Sequence, residues 1–535
     1  MNIKSVNNNG KPLNETSKRL KLPAVVKAFM HCSHAMWFFV AVWVWASCWY
    51  GDVFVMAREY SFFAFDKLLM KPVWEQTYGS LWIAGRALLN LFAFPWLGGL
   101  VLSLLLTVIS WLVGYLLRVP ARWRWLQYVP AAVYIYVVTW MGFDAFVFRE
   151  PGWLLGIPLC VAVILILQVV FLRSFSHRRL AWIWKCREDE TVSINALLVA
   201  VALLIPAGAA VYGSAGRSDV RLTAKLQRLM REQKWDEMAH AAEAWNGSSR
   251  QVAAYHALAL VRNGRLLDDL FKVRYDFRPV HLVSRKGEPS MGREIYEADC
   301  NFHAGLIMSA YRNDMEQMTF DGIGTARLRR MIRYALLRHE TNLALRYLLV
   351  LSKQPFEGDY VAYYRKLASN PDLVETDSEL KAIADMLPVE DQFEGSFVRP
   401  LFIGYYLGTK NIRSRGAYDV ATAASLYARM MPLFCYRAVA YAKEGSYPPV
   451  VADALGMLKV MQPEAVSAFS GIDMNAGRYV GFAKSFTGTD TLAVYQRAVG
   501  QFKNYSGYYP YYYFFGHPDV SDKSVKEEQE KGGIN

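Results

Sequence analysis

The chain has 535 residues, of which 53% are hydrophobic and 20% charged, with a formal net charge of +13. So large an apolar share, with a slightly positive mean hydropathy, is unusual for a purely water-soluble chain of this size. The charge is unevenly placed, with 19 basic against 10 acidic residues before residue 216 and 41 against 37 after it; a basic surplus beside apolar stretches reports membrane topology, and no nucleic-acid partner is expected.

Residues 1–34 form a polar N-terminal segment that holds Lys4, Lys11, Lys18, Arg19, Lys21 and Lys27 and lacks a small-residue cleavage site, so the first apolar run reads as a signal anchor. His31 and His34 flank Cys32 with ligand-like spacing, but two ligands do not close a metal site; interfacial polar residues are expected there. A bilayer core takes about 20 apolar residues in helix. Ala35–Val55, Tyr128–Phe148, Trp153–Leu172 and Ile194–Tyr212 meet that length. Leu81–Leu117 is too long for one span, and Pro95 with the Gly98-Gly99 pair divides it. Leu81–Phe94, with Arg86 and Asn90, reads as an interfacial helix, and Trp96–Leu117 as the span. About five spans therefore fill residues 35–215. Of the 19 basic residues in this half, 14 fall on the N-terminal side of the bundle and five in the alternate loops. That asymmetry predicts a cytoplasmic N-terminus and, after five spans, an external C-terminal half, periplasmic in a bacterial inner membrane.

Residues 216–515 carry charges every few positions, and apolar residues recur at helical spacing in Leu222–Met230, Met238–Trp245, Val252–Val261 and Leu328–Leu337. Short polar turns separate them, as at Asn263-Gly264, Asn370-Pro371 and Glu444-Gly445. The reading is an all-α chain: a transmembrane bundle, then an α-solenoid of antiparallel helix pairs able to bury its own faces. Residues 516–535 are charged and small and read as a disordered tail.

Ala257-Leu258-Ala259, Asn263-Gly264, Leu267 and Phe271 resemble the first helix, turn and second helix of a tetratricopeptide repeat. Degenerate copies are read at Ala335-Leu336-Leu337 with Glu340 and Leu343-Ala344, and at Ala440-Tyr441-Ala442 with Glu444-Gly445. Through Arg58–Phe63, Trp235-Asp236-Glu237, Asn263–Leu266 and Tyr347–Gln354 the chain also resembles an uncharacterised family of bacterial multi-span inner-membrane proteins with a tetratricopeptide-like periplasmic half. The resemblance implies architecture and brings no activity with it.

Catalytic signatures are sparse. His339-Glu340 is followed by Leu343 where a zinc protease needs a second histidine, and Gly322-Ile323-Gly324 reads as a turn. No cofactor is expected. The first outer loop holds Glu59, Asp66 and Glu75 near Arg58, Lys67 and Lys71. Glu59 or Asp66 could serve as general base or metal ligand in an enzyme of the lipid-linked glycosyltransferase type; local salt bridges are the plainer reading. Asp144 and Arg149 read as a surface pair at the end of a span. Cys300 and Cys435 are the two cysteines of the C-terminal half. Tyr508, Tyr509, Tyr511 and Tyr512 belong to a dense aromatic tail that either grips a partner or is buried against the last helix pair, burial being favoured because exposed rings invite aggregation. The function these features favour is a membrane-anchored scaffold whose repeats bind a protein or envelope component.

Overall fold

The computed structural model describes residues 34–117, 119–175, 192–275, 282–284, 286–290, 292–388, 414–469, 475–488 and 491–516. His31, Cys32, Arg118, Arg178, Arg179, Lys185, Arg187 and the tail beyond Gly516 lie outside them. The described chain is all-α, and among its residues extended pairing is limited to the isolated bridges Ser248–Arg274 and Val283–Pro289.

The first apolar run is α1 (His34–Val44), which passes through a π-helical turn at Trp45–Trp49 and breaks at Tyr50 into α2 (Gly51–Tyr60). The two parts are bent by 64°. The expected straight span over Ala35–Val55 is thus a broken one, kinked where the π turn opens the hydrogen-bond ladder. After α3 (Lys67–Trp74) and α4 (Gly79–Leu89), Pro95 opens α5 (Pro95–Leu117). The Gly98-Gly99 pair does not divide the apolar stretch as expected. It lies inside α5, where a Cβ on Gly99 would come within 2.1 Å of Ser47 Oγ, so its bare backbone lets the first helix approach. α6 (Val129–Met141), α7 (Trp153–Phe175) and α8 (Val192–Gly213) complete this half. Pro95–Leu117, Trp123–Ala145 and Trp153–Leu172 are each long and apolar enough to cross a membrane, and the bent pairs α1–α2 and α8 with the helix after it raise the number to as many as five. At about 1.5 Å per residue, 23 residues reach about 35 Å, enough for the hydrocarbon core.

The chain turns by 91° between Leu197–Gly213 and Ser218–Arg231. Helical hairpins follow: α9 (Ser218–Arg231) with α10 (Trp235–Glu243), α11 (Arg250–Arg262) with α12 (Leu266–Asp269), α13 (Glu297–His303) with α14 (Ile307–Asp321), and α15 (Thr325–Leu337) with α16 (Thr341–Leu351). Then come α17 (Gly358–Ser369), α18 (Asp372–Thr376), α19 (Ser378–Ala384), the hairpin α20 (Arg415–Tyr427) with α21 (Met431–Glu444), α22 (Pro449–Met461), α23 (Ala476–Ser485), α24 (Thr491–Gly500) and α25 (Tyr509–Phe515).

One turn geometry closes these five hairpins. Each has three residues between its helices, and the middle one is left-handed: Gln233 (φ 56°), Gly264 (67°), Gly305 (83°), His339 (59°) and Arg429 (55°). The residue after it bonds back to the carbonyl five positions earlier, as in Lys234 N to Leu229 O (2.9 Å), Arg265 N to Leu260 O (2.9 Å) and Glu340 N to Ala335 O (2.8 Å). This double closure satisfies the last carbonyls of the first helix and reverses the chain. The turn of the third expected copy differs: Gly445 caps α21 ahead of α22, and the hairpin turn of that region is at Arg429.

The two halves are not separately cored. A single cluster of buried side chains runs from Phe38 and Val42 through Ile135 and Val138 to Val220, Ala224, Tyr255 and Tyr509. Arg228 pairs with Asp52 of α2 at 2.9 Å, and the Arg221 guanidinium lies 3.9 Å from the Trp49 ring centroid.

Candidate functional site

The most densely charged place in the fold is where α2 meets the C-terminal half. The end of α2 puts Arg58 and Glu59 next to each other, both buried. Glu59 Oε1 receives Arg58 Nη1 at 3.1 Å, Arg329 Nη1 at 3.3 Å and Arg231 Nη1 at 3.4 Å. Arg58 in turn donates Nη2 to Glu357 Oε1 at 2.6 Å and Nε to Asn90 Oδ1 at 3.1 Å. Glu357, with no exposed side-chain surface, also takes Arg329 through Nε (3.0 Å) and Nη2 (2.7 Å to Oε2). Three guanidiniums and two carboxylates from α2, α9, α15 and the turn before α17 thus form one buried network. Burial alone would lower the Arg329 pKa, but the Glu59 and Glu357 carboxylates outweigh it and hold Arg329 above its ordinary value.

Backbone contacts seat the same junction. Thr325 donates both its backbone N–H (3.1 Å) and its hydroxyl (2.7 Å) to the Ser61 carbonyl. The preceding Gly324 places its Cα where an added Cβ would lie 3.1 Å from the Tyr60 carbonyl oxygen, tighter than ordinary contact. Gly322 and Gly324 do form a turn, the one joining α14 to α15. Arg86 and Asn90, expected on an interfacial helix, face protein instead. Arg86 clamps Glu150 through two bonds of 2.6 and 2.7 Å, and Asn90 accepts from Gln354 at 3.2 Å.

Beside this network lies a cavity of about 180 Å³, lined by α2, α9, the turn at Glu294 and Ile295, α13, α14, α15, α17 and α19. Arg231, Arg327, Arg329, Arg330 and Arg333 line it together with Glu59, Glu294, Asp299 and Glu379, and with His303, Tyr60, Tyr360 and Tyr364. Arg330 is held by Asp314 at 2.6 and 2.8 Å and by Asp299. Arg333 pairs with Glu379. Burial pushes the Tyr360 hydroxyl up to about 12 and raises Glu294. His303 is pushed well below its ordinary value, first by burial and then by the guanidiniums of Arg333, Arg262 and Arg330.

The residues singled out from the sequence are dispersed. Glu59 lies in the network and on the cavity wall. Asp66 does not line the cavity; it caps α3, accepting from Leu68 N at 2.9 Å. Glu75 pairs with Lys71 at 3.7 Å on the surface, and Asp144 with Arg149 at 3.0 Å. His34 meets the Tyr128 hydroxyl at 2.6 Å. Cys300 and Cys435 are both free. Among the described residues no group of three or more His, Cys, Asp or Glu side chains could hold a metal ion. Tyr508, Tyr509, Tyr511 and Tyr512 are buried, the favoured of the two expectations, and do not form an exposed partner-gripping surface. Tyr509 donates to Leu426 O (3.1 Å), Tyr511 to Ala498 O (2.9 Å) and Tyr512 to Tyr427 O (2.7 Å), while the Tyr512 ring stacks on Phe271 at 4.4 Å.

The arginines of α15 escaped the sequence reading. Arg327, Arg329, Arg330 and Arg333 fall within seven residues that otherwise read as an ordinary amphipathic helix. Their density on a helix rich in buried apolar residues was the available signal, because a solvated face rarely needs four guanidiniums beside Leu328, Met331 and Ile332.

Apolar helices long enough to cross a membrane, carrying a C-terminal half of helical hairpins, define a membrane-associated all-α protein. The chain belongs to a family of unknown function, DUF6057, whose profile matches residues 131–516. That stretch takes in Arg329, Arg333 and Glu357 and leaves Glu59 and Asp66 before it. Comparison with curated proteins and with solved structures gives no match.

Proposed function

We propose that the protein is a membrane-anchored scaffold. Its tetratricopeptide-like C-terminal half is displayed on the periplasmic side of a bacterial inner membrane, where it binds a protein or an envelope component. The 14-to-5 asymmetry of basic residues supports that orientation. The observation that carries the reading is the junction itself. Hairpins that only needed tethering would hang from a linker, whereas here Arg58, Glu59, Arg329 and Glu357 dock them against the end of the first apolar run. Docking of that kind holds an interaction surface at a set height and angle over the bilayer.

Glycosyltransferase-type chemistry at the first outer loop has less support. Three guanidiniums hold the Glu59 carboxylate in its charged, hydrogen-bonded form, and Asp66 is engaged as a helix cap, so neither is poised as a general base. The test is purification of the tagged full chain after cross-linking in cells, comparing wild type with Tyr436→Glu, which places a charge on the exposed face of α21. The scaffold reading expects a stoichiometric partner that Tyr436→Glu or a comparable hairpin-surface charge releases. Loss of cellular function in Asp66→Asn or Glu59→Gln at normal levels of folded membrane protein, with no partner found, would replace it with a catalytic reading.

A further inference from the structure

We propose that the cavity between α2 and α15 is a binding site for a small oxyanion, a phosphate or carboxylate group. The site lies beyond the scaffold reading and does not depend on it.

The argument is a shortage of acceptors. Three of the four carboxylates on the wall are already committed to cations: Glu59 to Arg58, Arg231 and Arg329, Asp299 to Arg330, and Glu379 to Arg333, while Glu294 accepts from the Ser290 hydroxyl and is raised by burial. Donors are left over. Arg333 Nε is buried with no partner among the described residues, and so is Nδ1 of His303, a donor in one of the two neutral tautomers. Arg231 makes one ion pair, at 3.4 Å, and no hydrogen bond among the described residues. Behind the wall, Arg262 stacks over the Trp235 ring, its guanidinium 5.4 Å from the centroid. A buried donor without an acceptor costs about 1–3 kcal/mol, so this wall is arranged for an acceptor that the protein does not itself supply.

The electrostatics agree in sign. Beyond burial, the resolved influences on His303 are three guanidiniums, all opposing a proton. A neutral imidazole in a positive field is suited to an oxyanion, and planar guanidiniums match phosphate and carboxylate geometry. The cavity's size, about 180 Å³, admits a phosphate or small carboxylate group. Glu59 and Tyr60 place it beside the end of the first apolar run, so the oxyanion has two sources, a free solute or a lipid headgroup.

The experiment is calorimetric titration of the purified full chain in mild detergent with inorganic phosphate and, separately, with dihexanoyl phosphatidate against dihexanoyl phosphatidylcholine. The expected result is saturable binding of phosphate or phosphatidate, weakened about tenfold or more by Arg231→Gln and by Arg333→Lys. Arg338→Gln, an exposed control, should leave it unchanged. Arg231 is partly exposed and makes a single contact, so its variant keeps the fold. Binding of phosphate identifies a solute site, and binding of phosphatidate alone identifies a headgroup site. No saturable binding of either probe, or binding indifferent to both arginine variants, would overturn the proposal.

Discussion

Arg58 and Glu357 stand 299 residues apart in the chain and meet at 2.6 Å, Nη2 to Oε1, with 4% and 0% of their side chains exposed. Removing one member leaves the other buried and uncompensated, which typically costs about 3–5 kcal/mol. Glu357→Gln should therefore lower the thermal stability of the detergent-solubilised protein by several kcal/mol, and Glu59→Gln should do the same. If either variant melted within about 1 kcal/mol of wild type, the value typical of a surface pair, the buried network would be wrong.

Asp66 is a different case. As the cap of an eight-residue helix on the surface, Asp66→Ala should cost about 0.5–2 kcal/mol, confined to α3. Hydrogen exchange at Leu68–Met70 should speed up while exchange in α15 stays constant.

Burial of the aromatic tail is chemically testable. Tyr509 and Tyr512 should resist aqueous iodination in the folded protein, whereas Tyr436, 78% exposed, should react first. Tyr512→Ala should cost about 3–5 kcal/mol, as aromatic truncations in cores do. Tyr512→Phe should cost only about 1 kcal/mol, for the lost bond to the Tyr427 carbonyl.

His303 gives a pH dependence. Its folded pKa lies well below the ordinary 6.5, so between those values the unfolded chain binds the extra proton. Its contribution to stability is complete above about pH 6.5 and is lost as pH falls below it. The melting temperature should drop from pH 7 to pH 5, and His303→Gln should flatten that slope. An unchanged slope would mean that His303 is already protonated or solvent-accessible in the fold.

Apolar length made the membrane helices legible in the sequence, and helical spacing with polar turns made the C-terminal hairpins legible. The hairpin turns are legible where glycine marks the left-handed residue, as at Gly264, and at Glu340, where apolar spacing on either side marks the break, but not where Gln233 and Arg429 adopt the same conformation. Gly445 is left-handed too, and caps α21 ahead of α22. The site was less legible. Glu59 reads from the sequence as a loop carboxylate among local pairs, because its distant partners Arg231 and Arg329 are separated from it by hundreds of residues. No periodicity encodes such a meeting; the arginine density of α15 and the paired Arg58-Glu59 were its only local traces.

The central claim is that the C-terminal hairpins are docked on the first apolar run through the Glu59–Glu357 network. Native-state hydrogen exchange of the full chain, wild type against Glu357→Gln, tests it most directly. The account predicts that amides of α2, from Phe54 to Tyr60, and of α15, from Leu328 to Leu336, open with similar free energies in wild type and are destabilised together in Glu357→Gln. Faster exchange in α15 with α2 unchanged would contradict it, because the network would then not couple the two helices.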